Sequence, residues 1–282
     1  MLIFNTQIEL VSHLKSISKQ NSAIGFVPTM GALHEGHLSL ISKAALNNSI
    51  IVVSIFINPT QFNNAEDLAK YPKTLDKDIE KIKTVSDTVI VFAPSVEDIY
   101  HGKTVSQHFD FDGLENQMEG KFRPGHFDGV GTIVKRLFEI VNPHNAYFGE
   151  KDFQQLQIIK KMVEKCNIPV NVIGCPIHRE PNGLAMSSRN ERLTIEERKE
   201  AAIIYKTILQ ARKMFPVKSA QDISEYVINT FKNHPNFVVE YFEIADEVAL
   251  LPCIRKNKSK KYRAFIAVFV NKIRLIDTIS LN

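Results

Sequence analysis

The chain has 282 residues, of which 44% are hydrophobic and 23% are charged, and its formal net charge is +4 at pH 7. This length allows one large domain or two smaller ones, each with its own core. The small net charge does not indicate a nucleic-acid partner, because a weakly basic cleft for an anionic substrate accounts for it equally well. The 3 cysteines are an odd number without a C-x-x-C pair, which argues against a disulfide framework and a structural zinc site.

The first residues lack the charged-then-apolar pattern of a signal peptide. No apolar run approaches the ~20 residues that a membrane-spanning helix needs. The sequence therefore predicts a cytoplasmic protein without a membrane partner.

The first part of the chain predicts alternating helices and strands. Thr6 to Glu9 is a capping-box pattern that opens a helix with the apolar stripe Ile8, Val11, Leu14 and Ile17. Strands are predicted at 23–27, 49–57, 88–92, 146–148 and 170–173, and helices at 38–46, 74–84, 127–141 and 152–165. Continuous β-branched runs are typical of strands buried on both faces. The pattern predicts an α/β fold with a doubly wound parallel sheet and a site at the carboxyl ends of its strands.

The pattern changes to α+β after about residue 190. Thr194 to Glu197 is a second capping box, which opens a long predicted helix towards Phe215, and another helix is predicted at 220–233. Strands are predicted at 237–244, 264–270 and 274–279. We place the boundary near residues 175–179, giving a first domain of residues 1–176 and a smaller second domain of residues 177–282. The basic run at 255–261 has a single aromatic neighbour, Tyr262, and is interpreted as a solvated hairpin loop.

Two segments that are far apart in the sequence carry the main functional signal. P-T-M-G-A-L-H-E-G-H at 28–37 joins a strand to a helix and places His34 and His37 where the helix begins. Free backbone N–H groups and the helix dipole favour an anion there, unless the histidines only cap the helix or pack locally. L-A-M-S-S-R-N at 184–190 offers the hydroxyls of Ser187 and Ser188 and the guanidinium of Arg189 to phosphate oxygens. Together the segments predict a nucleoside triphosphate held from two sides.

Other polar residues follow predicted strands, where ligand loops occur in this architecture. N-P-T-Q-F at 58–62 is either a ligand loop or a simple Asn-Pro turn. R-P-G-H-F-D-G at 123–129 offers a cation at a helix start, or only a helix cap by Asp128. Lys151 is placed for a phosphate, and Asp152 for a helix cap or a Mg²⁺ ion. Of the neighbouring amides Gln154 and Gln155, one is expected to face a substrate and the other the surface.

Six segments together are more specific than any one of them: P-T-M-G-A-L-H-E-G-H, N-P-T-Q-F, Y-P-K-T, R-P-G-H-F-D-G-V, Y-F-G-E-K-D-F-Q-Q-L and G-L-A-M-S-S-R-N. In this order they resemble the pantothenate synthetase (pantoate–β-alanine ligase) family over residues 25–192, and more weakly to residue 277. H-x-G-H alone is shared across a nucleotidyltransferase superfamily that includes class I aminoacyl-tRNA synthetases. The resemblance implies a Rossmann-like first domain, a small C-terminal lid domain, a homodimer, and ATP with Mg²⁺.

The resemblance also implies a reaction in two steps. Pantoate and ATP form pantoyl adenylate and pyrophosphate, and the amine of β-alanine then displaces AMP to give pantothenate. The catalytic residues that it implies are His34, His37, Lys151 and Arg189, with His37 as the proton donor. The ATP-binding residues that it implies are Met30, Gly31, Ala32, Leu33, His34, Glu35, Gly36, His37, Gly149, Glu150, Lys151, Asp152, His178, Met186, Ser187, Ser188 and Arg189.

Fewer residues are implied for the other ligands. Gln61 and Gln155 would hold pantoate, with Gln61 also near β-alanine, and Asn58 and Arg123 are further candidate substrate-binding residues. Asp152 is the candidate Mg²⁺ ligand. His178 departs from the aliphatic residue that is usual beside the adenine, which puts the ATP affinity in question if side-chain packing matters there.

Three other interpretations remain open at this point. Another H-x-G-H nucleotidyltransferase would make a dinucleotide or a nucleotide-activated product, but the segments around Gln61 and Gln155 argue against it. An RNA-binding protein like a tRNA synthetase would need a broader basic face than residues 255–261 provide, so no nucleic-acid partner is expected. A catalytically silent binding protein is disfavoured, because every polar position that the family chemistry needs is present.

Overall fold

The computed structural model describes residues 1–18, 22–62 and 65–282, which form two compact units. The first unit contains Met1–Glu115, Glu119–Gly149 and Gln155–Cys175, and the second contains Asn116–Met118, Glu150–Gln154 and Pro176–Asn282. The chain therefore passes between the units more than once. The assignment of residues 1–176 to nucleotide and pantoate binding, and of residues 177–282 to a lid, stays a prediction.

The first unit is built around a six-stranded parallel sheet, which confirms the predicted α/β class. Its strands are β1 (Leu2–Phe4), β2 (Ile24–Thr29), β3 (Ile50–Ile55), β4 (Ile90–Phe92), β5 (Asn145–Gly149) and β6 (Asn171–Cys175). They lie in the order β1-β4-β3-β2-β5-β6, so the winding reverses between β2 and β5. An open α/β sheet binds its ligand beyond the carboxyl ends of the strands at such a reversal. The segments that follow β2 and β5 are therefore the candidate ligand-binding loops of this sheet.

The helices of the first unit cover both faces of this sheet. Val27 packs in one core cluster with Ile41 and Ile82, whereas its neighbour Phe26 meets Phe138 edge-on with ring centroids 6.2 Å apart. Strand side chains alternate between faces, so the two neighbours report on opposite sides of the sheet. The helices are α1 (Gln7–Ile17), α2 (Glu35–Asn47), α3 (Ala65–Ala69), α4 (Leu75–Val85), α5 (Val96–Tyr100), α6 (Met118–Phe122), α7 (His126–Val141) and α8 (Phe153–Lys165).

The predicted stripe of α1 is partly wrong. Thr6 caps the helix as expected, but Ile8 is 79% exposed, and the helix buries Leu10 and Leu14 instead. Both stripes contain Leu14 and fit a helical period, so periodicity alone does not decide between them. Strand β1 was missed altogether, because three residues are too short to show a pattern.

The second unit packs helices against one face of a three-stranded antiparallel sheet, which confirms the α+β pattern. Phe265, on the other face, lies 6.0 Å from Phe153, ring centroid to ring centroid, and Phe153 belongs to the segment Glu150–Gln154 of this unit. The elements are α9 (Ile195–Glu200), α10 (Ala202–Met214), α11 (Ala220–Lys232), β7 (Phe237–Asp246), β8 (Tyr262–Val270) and β9 (Ile273–Ser280). In the described part of the chain, no helix combines the length and the apolar character needed to cross a bilayer.

Two predictions for the second unit need correction or refinement. The long helix expected towards Phe215 is two helices, α9 and α10, which meet at Ala201. The capping box of Thr194 and Glu197 is confirmed at the start of α9. The basic run at 255–261 is an exposed loop between β7 and β8, as predicted, but Lys256 also donates to the carbonyl groups of Phe215 and Lys218 just after α10.

Candidate active site

The loop between β2 and α2 has a fixed path. It turns through two residues with positive φ, Gly31 at 82° and Ala32 at 50°. The Thr29 hydroxyl accepts a hydrogen bond from the Gly31 N–H at 3.2 Å and donates to the Ser54 carbonyl of β3 at 2.7 Å. A Cβ at position 31 would lie 3.1 Å from Asp78 Oδ2. Glycine therefore suits both the conformation and the space at this position.

His34 and His37 lie together at the start of α2. Their rings are 4.1 Å apart between centroids. His34 Nδ1 accepts from the Gly36 N–H at 3.1 Å, and His37 Nδ1 accepts from the His34 N–H at 3.3 Å. A ring nitrogen that accepts a hydrogen bond carries no proton, so this pattern assigns the proton of each neutral imidazole to Nε2. Both rings thus present Nε2–H as a donor while they cap the helix, which means that the capping and ligand interpretations are compatible.

The backbone amides of this loop are not free, contrary to the sequence-based expectation. The N–H groups of Ala32 and Leu33 donate to the two carboxylate oxygens of Asp78, at 3.0 and 2.7 Å. The amides of Gly31, His34 and Gly36 donate to side chains within the loop. An anion at this loop would therefore be bound by side chains, such as the imidazoles of His34 and His37, and not by these amides.

Asn58 holds the turn that follows β3. Its side chain is 1% exposed, donates to Gln61 Oε1 at 3.1 Å and to the Gly129 carbonyl at 3.2 Å, and accepts from Tyr100 Oη at 2.6 Å and from Thr60 Oγ1 at 3.1 Å. Burial raises the pKa of the Tyr100 phenol, which keeps its hydroxyl proton in place as a donor. Oε1 of Gln61 faces Asn58, and the Gln61 Nε2 group donates to Met30 Sδ at 2.8 Å.

The segment at 123–129 supports the same turn from outside. Arg123 Nη2 donates to the Gln61 carbonyl at 3.3 Å, and His126 Nδ1 lies 2.9 Å from that oxygen. A Cβ at Gly129 would lie 2.4 Å from the Thr60 carbonyl oxygen, so the turn can approach α7 only at a glycine. Asp128 is not the helix cap, because it lies inside α7 and binds the Phe109 N–H at 3.0 Å.

The residues after β5 place two partly buried carboxylates, those of Glu150 and Asp152, on either side of Lys151 in the sequence. Glu150–Asp152 is a 3₁₀ turn, in which Lys151 Nζ lies 3.2 Å from Asp152 Oδ2. Gln154 is buried and donates to the Gln117 carbonyl at 2.8 Å, so neither amide at the start of α8 is a surface residue. Gln155 is partly buried.

In the second unit, an ion pair fixes the hairpin that precedes Ser187. Arg179 donates to both carboxylate oxygens of Asp277, at 2.6 and 3.0 Å, and its guanidinium lies 3.8 Å from the centre of the Tyr205 ring. Burial raises the pKa of the Asp277 carboxyl, while the hydrogen bonds from Arg179 oppose that shift. The Met186 N–H donates to the His178 carbonyl at 3.0 Å, while the His178 side chain is exposed.

The loop that carries the serines is held from its other side too. Ser187 Oγ accepts from the Arg189 N–H at 3.2 Å and caps the 3₁₀ turn Ser188–Arg192. Buried Asn190 donates to Glu180 Oε1 at 2.7 Å, and Arg198 Nε donates to both oxygens of that carboxylate at 3.0 and 2.9 Å. Arg189 is half-buried.

No cluster of three or more His, Cys, Asp or Glu side chains among the described residues could hold a metal ion. Asp152, the predicted Mg²⁺ ligand, is paired with Lys151 Nζ at 3.2 Å. Its side chain is 45% exposed.

Sequence reasoning missed three buried polar residues that shape these loops: Asp78, Tyr100 and Asp277. A signal for Asp78 was present, because it lies on the apolar stripe that Ile79 and Ile82 mark on α4. A carboxylate on such a stripe needs specific partners. Tyr100 and Asp277 gave no comparable signal, since their partners Asn58 and Arg179 are remote in sequence.

Known proteins resemble this chain over its whole length. Residues 2–280 match the sequence model of the pantoate–β-alanine ligase family. The pantothenate synthetase of Flavobacterium psychrophilum is 63% identical over 281 residues, which cover 100% of both chains. The chain belongs to the pantoate–β-alanine ligase family. The predicted family, the predicted fold and the ligase activity, an ATP-dependent condensation of pantoate with β-alanine, are thereby confirmed.

Solved structures of the family have the same fold. The crystal structure of pantothenate synthetase from Thermus thermophilus matches with a TM-score of 0.90 and 37% identity, covering 100% of this chain and 99% of that one. The pantoate–β-alanine ligase of Francisella tularensis, crystallised with β-γ ATP and β-alanine, matches with a TM-score of 0.83 and 37% identity, covering 100% and 98%. The interpretations as a different nucleotidyltransferase or as a silent binding protein are therefore set aside.

Proposed function

We propose that this ligase works through an acyl adenylate. A pantoate carboxylate oxygen attacks the α-phosphorus of ATP, and the bond to the bridging oxygen breaks, releasing pyrophosphate. The amine of β-alanine then attacks the acyl carbon, AMP leaves, and the amine loses a proton. The crystal of the Francisella tularensis ligase with β-γ ATP and β-alanine supports a site for both ligands in this family. None of the three cysteines lies in the candidate loops, which gives no support to a thioester route.

The observation that carries this proposal is the pair of imidazoles at the start of α2. Both are assigned as Nε2–H donors by their own capping hydrogen bonds. Donors held in place before the reaction stabilise charge that develops on phosphate oxygens without further reorganisation. We assign His34 and His37 to this role. The resemblance implied that His37 is a proton donor; we propose that it donates a hydrogen bond from Nε2–H and keeps its proton. A neutral imidazole that lost its Nε2 proton would become an anion, which is unfavourable beside phosphates.

The remaining ligand contacts follow the resemblance. Lys151, Ser187, Ser188 and Arg189 would bind phosphate oxygens, and the backbone of the segments at 30–37, 149–152, 178 and 186 would line the nucleotide. For Ala32 and Leu33 this role is confined to packing while their amides bind Asp78.

The two glutamines are proposed for pantoate. The Gln61 Nε2 group donates to Met30 Sδ at 2.8 Å in this structure, and pantoate would replace that weak acceptor with a carboxylate or hydroxyl oxygen. Gln155 provides a second amide. Asn58 and Arg123, in contrast, contact Gln61 itself, at its side chain and its carbonyl group. Their contribution to pantoate binding is therefore proposed to be through Gln61.

Mg²⁺ is proposed to enter with ATP. The ion usually keeps several waters and is held by substrate phosphates with one or two carboxylates, and the partly exposed carboxylate of Asp152 fits that role. When bound, Mg²⁺ would neutralise charge on the phosphates. A homodimer, which the resemblance implies, and a cytoplasmic location, which the sequence predicts, complete the proposal. Sedimentation of the purified chain would measure its oligomeric state.

Isotope exchange tests the adenylate route. With pantoate, ATP and Mg²⁺ but no β-alanine, labelled pyrophosphate should enter ATP, because the first step is reversible while the adenylate stays bound. Omitting pantoate should abolish the exchange. Release of ADP and phosphate instead of AMP and pyrophosphate in the complete reaction would rule the route out.

A further inference from the structure

Asp78 is a buried carboxylate that the reaction itself does not use. It lies in the first turn of α4 and is 1% exposed, whereas Asp76 in the same turn is exposed. Removing a carboxylate from water is unfavourable unless hydrogen bonds replace the lost hydration. Such a residue is retained in a fold when its hydrogen bonds hold something in place, so its partners indicate its role.

Those partners belong mainly to the loop that leads into the histidine pair. Oδ2 accepts from the Ala32 N–H at 3.0 Å and from Thr74 Oγ1 at 3.1 Å, and Oδ1 accepts from the Leu33 N–H at 2.7 Å. Lys81, one turn later on α4, donates to the Leu33 carbonyl. Helix α4 therefore binds two N–H donors and one carbonyl acceptor of the same turn, at residues 32 and 33.

The turn is of the kind that binds anions. Consecutive N–H groups that converge after residues of positive φ form a concave anion site, and Gly31 and Ala32 have φ of 82° and 50°. In this structure the anion is the carboxylate of Asp78. Without it, the N–H groups of partly buried Ala32 and buried Leu33 would lose these partners. His34, the N-cap residue of α2, follows this turn directly.

We propose that Asp78 is a positioning residue for ATP: its carboxylate serves as a built-in anion that fixes residues 31–33 and thereby sets where the Nε2–H groups of His34 and His37 point. This inference rests on the proposed function, which supplies ATP as the nucleotide that the two histidines bind. A positioning role differs from a general stability role because its loss lowers the reaction rate of the folded enzyme. A misplacement of the donors by about 1 Å is enough to lower the rate by up to about 10²-fold.

The test compares Asp78→Asn with Asp76→Asn. Both remove one charge from the first turn of α4, so the loss of helix-dipole stabilisation is matched. Asn at position 78 keeps one acceptor and turns an N–H group towards the other amide. We expect Asp78→Asn to raise the Kd for ATP, measured by calorimetry, at least about tenfold, with a comparable loss of pyrophosphate exchange. Asp76→Asn should match the wild type in both measurements.

Amide hydrogen exchange separates the possible outcomes. The proposal requires faster exchange of the Ala32 and Leu33 amides in Asp78→Asn together with weaker ATP binding. Faster exchange with unchanged ATP binding and pyrophosphate exchange would overturn it and leave a structural role. Unchanged amide exchange would overturn it at its first step. A wild-type protein that binds no ATP would instead contradict the proposed function.

A second variant covers the case in which Asp78→Asn does not fold. Lys81→Met removes the contact to the Leu33 carbonyl while leaving the carboxylate paired, and Lys81 is exposed. We expect a smaller change in the same direction, with a raised KM for ATP and an unchanged KM for β-alanine. A KM for ATP equal to that of the wild type would contradict the proposal.

Discussion

At the scale of single residues, the two histidines combine a structural and a chemical task in one ring. Nδ1 of each ring accepts a backbone hydrogen bond at the start of α2, and this leaves Nε2–H as the donor. Because the two nitrogens have separate roles, two substitutions at His37 can separate them. Asn places its side-chain polar atoms near the position of Nδ1, and Gln places its own near the position of Nε2.

We predict that His37→Asn, which can keep the cap, loses about 10²–10³-fold in adenylate formation, as expected for a lost transition-state donor. His37→Gln should retain more of that rate, because its amide can replace the Nε2–H, although the cap is weakened. The second half-reaction, started from pantoyl adenylate and β-alanine, should change little in either variant. Pyrophosphate exchange and single-turnover assays make the comparison. The reverse order, with the Asn variant the more active, would leave His37 as a structural cap.

A second residue-scale prediction concerns Tyr100. Its hydroxyl donates to Asn58, which in turn fixes the amide of Gln61. The same hydroxyl lies 3.1 Å from Thr60 Oγ1, so Tyr100→Phe removes two neutral hydrogen bonds. The substitution should lower the free energy of unfolding by about 1–2 kcal/mol and raise the KM for pantoate by about fivefold. Tyr147→Phe is the matched control, since Tyr147 is equally buried and its hydroxyl binds only Asn48 among the described contacts.

Steady-state kinetics of the two Phe variants make the comparison. Tyr147→Phe should lose similar stability with the KM for pantoate unchanged. Equal effects of both substitutions on that KM would show that the Tyr100 hydroxyl only stabilises the fold.

At the scale of elements, the ends of helices determine where the loops begin. Helix α11 starts with a reciprocal capping box, in which Ser219 and Asp222 bind each other's backbone N–H groups. Hydrogen bonds from the Ser219 side chain, and then from its backbone, lower the pKa of the Asp222 carboxyl below the ordinary 3.8. Asp222 therefore stabilises the folded helix above its ordinary pKa, and that contribution is lost as the pH falls through the lower folded-state value.

We predict that Asp222→Asn lowers the protection of the first α11 amides against hydrogen exchange at neutral pH. Below the folded-state pKa of Asp222 the substitution should have no such effect, because the wild-type carboxyl is then protonated in both the folded and the unfolded state. Hydrogen exchange across a pH series, corrected for intrinsic rates, measures the difference. Glu225→Gln, a charge change on an exposed site of the same helix, should show no such pH dependence. A constant difference between Asp222→Asn and wild type at every pH would contradict the expected loss of stabilisation at low pH.

At the scale of the whole molecule, the proposed ATP contacts come from segments in both units. If ATP contacts residues 28–37 and 184–192, its addition should slow amide exchange in both segments. Arg189→Ala should then weaken ATP binding about 10- to 100-fold, as for the loss of a hydrogen bond to a charged group. Arg192→Ala, at an exposed site in the same 3₁₀ turn, is the control. Unchanged exchange in residues 184–192, with normal kinetics for Arg189→Ala, would make this segment a connector.

The same scale shows how much of the site could be predicted from the sequence. The histidines, the two glutamines and the Ser-Ser-Arg loop could be proposed as site residues because their chemistry and their order are visible in the chain itself. The hydrogen bonds of the backbone around these residues could not be predicted from the sequence. The amides of Ala32 and Leu33 were expected to be free, yet a carboxylate 45 and more residues away binds both. The sequence did not decide whether the segment that begins at Asn58 is a ligand loop or a simple turn. The residues that Asn58 contacts, Tyr100 and Gly129, are likewise remote in sequence.

The sequence by itself determined the alternation of strands and helices, the change to α+β near residue 190, and the family. These depend on local periodicity, on capping patterns such as Thr194 to Glu197, and on motifs that are contiguous in the chain. Only the tertiary structure decided which face α1 buries, that α9 and α10 separate at Ala201, and which donors of the His34 loop are already bonded. The physical reason is that burial and hydrogen-bond partners are properties of pairs, and the deciding partner, as Asp78 is for Ala32 and Leu33, comes from another part of the chain.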